Sequence, residues 1–174
     1  MELQCRVLRM LLLLCMGLQL VFFVLAWSSA LPAGSFMQMS ANGIGVAEVR
    51  ALGSGQRAAG ALLSLPGLLT LAYGLWRLYA LLARLERRTL FDLATIGHLR
   101  GFAAAVLAST LAGIVEPAVR GLVFRYGFGD AGAVVSMGLS SEVLLLVLVC
   151  GLFYLITDMM HEGRRLAEEN EGFV

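Results

Sequence analysis

The chain has 174 residues, of which 59% are hydrophobic and 14% charged, and its net charge is +1. A water-soluble domain carries roughly a quarter charged residues, so this composition excludes an ordinary soluble fold and points to a membrane protein. All 13 basic residues are arginine, and the near-neutral total gives no polyanion preference, so no direct nucleic-acid binding is expected. Cys5, Cys15 and Cys150 have neither disulfide-framework nor metal-ligand spacing and read as small apolar filler.

A membrane-spanning helix needs about 20 mostly apolar residues. Four stretches meet this, at about 10–27, 58–76, 101–123 and 137–160. Lipid offers no partner to free backbone groups, and these runs do not alternate as barrel strands would, so each is expected to be a helix. The expected fold is an all-α membrane protein with four transmembrane helices, one domain over 1–174. The first stretch follows Arg6 and Arg9, with Ser28 and Ala30 at signal-cleavage spacing. Its length and the three later spans favour an uncleaved anchor.

The first connection, 28–57, is rich in Gly, Ser and Ala, with turns at Pro32 and Asn42-Gly43, and is expected to hold little rigid structure. Arg6, Arg9, Arg84, Arg87, Arg88, Arg100, Arg164 and Arg165 fall on one side of the spans, against Arg50, Arg57 and Arg125 on the other. Positive loops stay in the cytoplasm, so both termini are expected there, with 28–57 extracytoplasmic and 161–174 a cytoplasmic tail. Arg77 and Arg120 lie near helix ends, where long side chains reach water. Trp27, Phe124 and Tyr126 are expected at the outer interface, and Tyr73, Trp76 and Tyr79 at the inner one. Between spans two and three, Thr89 reads as a helix cap before Leu90, Leu93, Ile96 and Leu99. That segment is either an interfacial amphipathic helix or the extension of two long helices.

Small residues recur every fourth position in the third stretch, at Gly97, Gly101, Ala105, Ser109 and Gly113. They predict close helix packing, against another span or against a second copy in a homo-oligomer or larger complex. Glu116 and Arg120 are spaced to pair across Pro117, and Glu142 is expected at similar depth. Ionisable groups inside a span suggest either an ion or ligand site or a structural pair. Asp158, His161, Glu162 and Arg165 make a polar stripe that starts like a zinc-protease helix, but position 165 is not histidine, so a solvated face is expected and no metal. His98 is read as an ordinary interfacial residue, and Gly127 and Gly129 as turn glycines. No phosphate loop, Ser/His/Asp set or Cys/His cluster is present. No catalytic residue, no cofactor and no enzyme activity are therefore expected.

Two segments carry a family resemblance. One is Arg87-Arg88-Thr89-Leu90-Phe91 with Ile96, Leu99 and Arg100. The other is the end of the chain, from Gly163 to Val174, with Leu166, Glu168, Glu169 and Val174 in an L-x-E-E-x-x-x-x-V pattern. Together they resemble the YoaS-like bacterial four-span membrane proteins, a family defined as a domain of unknown function. The first segment departs from the family pattern, with Thr89 where a glycine is expected. The resemblance implies a bacterial cytoplasmic (inner) membrane protein and, as partner, a small cytosolic helix-turn-helix regulator. It brings no catalytic residues. The tail residues Glu168, Glu169, Glu171, Phe173 and Val174 suit partner binding: the acids point away from anionic headgroups, and the apolar end can dock. The rival reading is a small transporter or channel using Glu116, Arg120 and Glu142.

Overall fold

The structure is a computed structural model that describes residues 2–28, 40, 41, 44–85, 93–135, 137 and 140–171. In chain order its elements are α1 (Glu2–Trp27), β1 (Ser40–Ala41), β2 (Ile44–Gly45), α2 (Val46–Ala51), α3 (Ser54–Leu85), α4 (Leu93–Gly127) and α5 (Ser141–Glu171). The four long helices make the molecule an all-α protein, and each is long and apolar enough to cross a membrane.

Each long helix outruns the apolar stretch that announced it. Apolarity marks the part of a helix matched to hydrocarbon, whereas backbone hydrogen bonding continues into the polar interface. At α5 the boundary moves the other way. The helix starts at Ser141, and the Ser140 hydroxyl accepts the Val143 N–H at 3.3 Å, so the cap and not the apolar run from Met137 sets the first turn. At the end of α4, Gly129 takes φ 68° and lets the Asp130 N–H return to the Phe124 carbonyl at 3.1 Å.

The helices pack chiefly on their sequence neighbours: α1 on α3, α3 on α4, α4 on α5. The tightest seam is the antiparallel α3/α4 pair, with Gly74 opposite Ala105 and Gly67 opposite Ala112. A β-carbon at these glycines would lie 3.0 and 3.7 Å from the facing alanine methyls. Removing those methyl-sized groups brings the backbones together, which is how helices gain dispersion contact without a hydrophobic driving force. Elsewhere the molecule is apolar outside. Leu11, Leu14, Val21 and Val24 on α1, and Leu144, Leu148, Leu152 and Leu155 on α5, are all at least half exposed. An apolar surface this continuous is stable against lipid and not against water.

Gly97 to Gly113 is only partly a packing ridge. A β-carbon at Gly101 or Ala105 faces α3, and the Ser109 hydroxyl donates to the Gly67 carbonyl at 3.1 Å. A β-carbon at Gly97 or Gly113 would meet nothing within 4 Å. A step of four residues over-rotates by about 40° on a helix with 3.6 residues per turn. The row therefore drifts off the seam at both ends, and contact passes from Ser109 to Ala112 instead of Gly113.

The first connection holds more structure than its composition suggests. Ser40 pairs with Gly45 and Ala41 with Ile44, and α2 follows, with Val49 1% exposed. The Gly45 N–H donates to the Glu48 carboxylate at 3.2 Å and closes the start of α2. The Pro32 and Asn42-Gly43 turns lie outside the described residues. So do Arg87, Arg88, Thr89 and Leu90. The described remainder of that inner segment, from Leu93, is continuous with α4, and Ile96 is buried at 5% exposure instead of facing a membrane surface.

Candidate functional site

Glu116 and Arg120 stand one turn apart on α4, three turns before its end. The Arg120 Nη1 donates to Glu116 Oε1 at 2.5 Å, and each side chain is 5% exposed. α3 supplies a further member that sequence spacing did not suggest. The Ser64 Oγ lies 3.1 Å from Glu116 Oε1 and 3.0 Å from the Gly60 carbonyl, so its single proton is shared between two acceptors. Pro117, next to Glu116, has no N–H for the Gly113 carbonyl, and Pro66 has none for the Leu62 carbonyl.

This pair sits just below a packed lid. The Trp27 ring covers Gly60, where a β-carbon would fall 2.2 Å from the ring edge. The backbone of Val134 and Val135 crosses Gly121 of α4, where a β-carbon would fall 2.5 Å from the Val134 carbonyl oxygen. Phe128 stacks edge-on against Phe124 and reaches Gly55, and the Gln56 amide approaches the Asp130 carboxylate at 3.5 Å. Trp27 and Phe124 are thus buried, at 8% and 4% exposure, while Tyr126 at 80% is the one of the three expected belt aromatics that faces outward. Ser64 lies one turn below Gly60, so the ion pair sits about 6 Å beneath the Trp27 ring.

Glu142 does not join this cluster. It is exposed in the first turn of α5 and makes no hydrogen bond or ion pair with Glu116 or Arg120 among the described residues. Chemically, Glu116 and Arg120 compensate one another's charge where water is scarce, and they link α4 to α3 through Ser64.

At the opposite end, arginines meet aromatic rings. The Arg9 Nη2 donates to the Tyr79 hydroxyl at 2.7 Å, and its guanidinium lies 4.6 Å over the Tyr79 ring. Arg77 lies 5.4 Å over the Tyr73 ring, and Arg100 5.8 Å over the Tyr154 ring. Arg77 Nη1 is 3.2 Å from His98 Nδ1. Arginine only donates, so this ring nitrogen accepts and the proton sits on Nε2. His98, read from sequence as an ordinary interfacial residue, therefore has a partner 21 positions away on α3.

Toward the C-terminal end of α5, the polar stripe is an exposed helix face. Arg165 bridges Glu162 at 2.7 Å and Glu169 at 3.5 Å, all three side chains being more than half exposed. Asp158 and His161 are exposed on the same helix. Among the described residues no group of three His, Cys, Asp or Glu side chains is placed to hold a metal. The helix continues to Glu171. The Arg164, Glu168 and Glu171 side chains, and Phe173 and Val174, lie outside the described residues.

Between the Trp27 contact at Gly60 and Arg77, α3 rises about 26 Å, close to the roughly 30 Å of a hydrocarbon core. The chain thus has the architecture of a multi-pass membrane protein, with four candidate spans. No protein-family model, no curated protein and no solved structure matches it.

Proposed function

We propose that this chain is a non-enzymatic component of a bacterial cytoplasmic membrane, with both termini in the cytoplasm, and that it holds a cytosolic partner through its inner connection and the end of α5. The observation that carries this reading is the length and character of α5. The apolar part of the helix runs from Ser141 to Gly163, yet the helix continues to Glu171 with Arg165 braced between Glu162 and Glu169. A helix face laced with alternating charge belongs in water and presents a regular surface to a soluble protein. The resemblance to YoaS-like proteins supplies the class of partner, a small helix-turn-helix regulator. In that reading Glu168, Glu169, Glu171, Phe173 and Val174 are the contact residues. The test is co-expression with any small helix-turn-helix regulator found encoded beside the gene, followed by affinity capture in detergent. The full chain should retain the regulator, and a version truncated after Leu166 should lose it. Retention by both, or by neither, contradicts a binding role for the tail.

A second reading has a specific observation in its favour: an ionisable pair lies buried within an apolar span. In a transporter or channel, Glu116 and Arg120 would exchange partners as a path opened, with Glu142 at its mouth. Flux into liposomes that is lost in both Glu116→Gln and Glu142→Gln would favour this reading over the first.

A further inference from the structure

The Arg77–His98 pair is built in a way that a snorkelling arginine does not need. The guanidinium of Arg77 lies flat against α4 at Gly101, where a β-carbon would fall 2.7 Å from Nε and 3.1 Å from both Cζ and Nη2. Only glycine leaves room for that approach. On its other side the guanidinium faces the Tyr73 ring at 5.4 Å, and its Nη1 is fixed on His98. The Arg77 Nε is buried with no hydrogen-bond partner, and Arg77 has no carboxylate partner among the described residues. Arg84, two turns further along α3, acts electrostatically on His98, so a second cation adds to the field there. Tyr73 and Trp76, at 51% and 58% exposure, flank the cluster on its lipid-facing side, and Trp76 stacks on Tyr79 at 6.1 Å.

We infer that Arg77 and His98, clamped over Gly101, form a binding site for the phosphate of an anionic phospholipid. The guanidinium offers charge-assisted donors, and the His98 Nε2–H offers one more. Exposed tyrosine and tryptophan seek the glycerol and headgroup level of a bilayer, which puts the neighbouring arginine at phosphate depth. The same polar chemistry would take free inorganic phosphate. The exposed Tyr73 and Trp76 favour a lipid, because they give its glycerol and upper acyl chain an apolar wall.

This inference rests on the four-span reading, and its test separates the two. The full chain is reconstituted in vesicles of phosphatidylcholine alone or mixed with phosphatidylglycerol, extracted gently, and weighed by native mass spectrometry. The wild type should keep phosphatidylglycerol in preference to phosphatidylcholine. Arg77→Gln should lower that preference about tenfold or more, the effect of losing a charge-assisted hydrogen bond to the phosphate. Gly101→Ala should do the same by displacing the guanidinium, while Arg100→Gln, whose guanidinium stacks on Tyr154, should leave it unchanged. Circular dichroism confirms that each variant keeps its helix content. Equal retention of the two lipids by the wild type overturns the inference, as does a preference unchanged in Arg77→Gln. So does stabilisation by inorganic phosphate with none added by phosphatidylglycerol. A chain that inserts in neither vesicle contradicts the four-span reading as well.

Discussion

Replacing one member of the Glu116–Arg120 pair should cost far more than replacing a surface pair. Both side chains are 5% exposed, their contact is 2.5 Å, and Ser64 holds Glu116 from the neighbouring helix. Glu116→Gln keeps the shape but removes the carboxylate charge that the Arg120 guanidinium contacts at 2.5 Å. Stranding one charge of a buried pair costs about 3–5 kcal/mol, against about 0.2–1 kcal/mol for an exposed pair. The denatured chain in a micelle finds substitute partners, which draws the expected loss toward about 3 kcal/mol. That is about a hundredfold in the unfolding equilibrium. The double variant Glu116→Gln with Arg120→Met removes both charges and should recover about 2 kcal/mol relative to the sum of the single changes. The assay is reversible unfolding from dodecyl maltoside by sodium dodecyl sulfate, followed by far-UV circular dichroism. A loss below about 1 kcal/mol for Glu116→Gln, or strict additivity in the double variant, would refute the buried-clasp account.

Three other outcomes follow from the packing. Gly67→Cys with Ala112→Cys, in a chain whose native cysteines are replaced by alanine, should form an intramolecular disulfide. The Gly67 position would place its β-carbon 3.7 Å from that of Ala112, within the usual disulfide range of about 3.5–4.5 Å. Covalent dimers on a non-reducing gel would instead put a second copy on that seam. Trp27 is 8% and Trp76 58% exposed, so brominated lipid should quench a Trp27→Phe variant strongly and a Trp76→Phe variant weakly. Equal quenching would contradict the burial of Trp27 against Gly60. Gly121→Ala drives a β-carbon to 2.5 Å from the Val134 carbonyl oxygen and should cost about 1–3 kcal/mol through displacement of the 131–135 segment. The same detergent unfolding measures it, and an unchanged midpoint would show that the crossing is loose.

Helix number, order and type were legible because about twenty apolar residues in a row admit almost one solution in lipid. The Glu116–Arg120 pair was legible because helical spacing makes i and i+4 neighbours whatever the tertiary fold. Contacts between helices were not. Ser64, 52 positions before Glu116, looked like one more small residue in an apolar run. His98 looked solitary because its partner lies on another helix. Trp27 and Phe124 have belt chemistry and belt depth, yet Gly60 admits the Trp27 ring and Phe128 packs edge-on against Phe124, which turns both into packing residues. Gly60 and Gly121 were the available signals for these approaches, but a glycine does not name what comes close to it. Glu142 shared only an expected depth with Glu116, and depth does not fix which way a side chain faces.

The account depends on four helices threaded through a bilayer with Arg9, Arg84 and Arg165 on the cytoplasmic side. Paired reporter fusions test this most directly, using alkaline phosphatase, active only when exported, and a green fluorescent protein, fluorescent only in the cytoplasm. Placed after Val174, the fluorescent reporter should be bright and the phosphatase silent. Inserted in the connection that follows Trp27, the pattern should reverse. An active phosphatase after Val174, or a chain recovered in the soluble fraction without detergent, would contradict it.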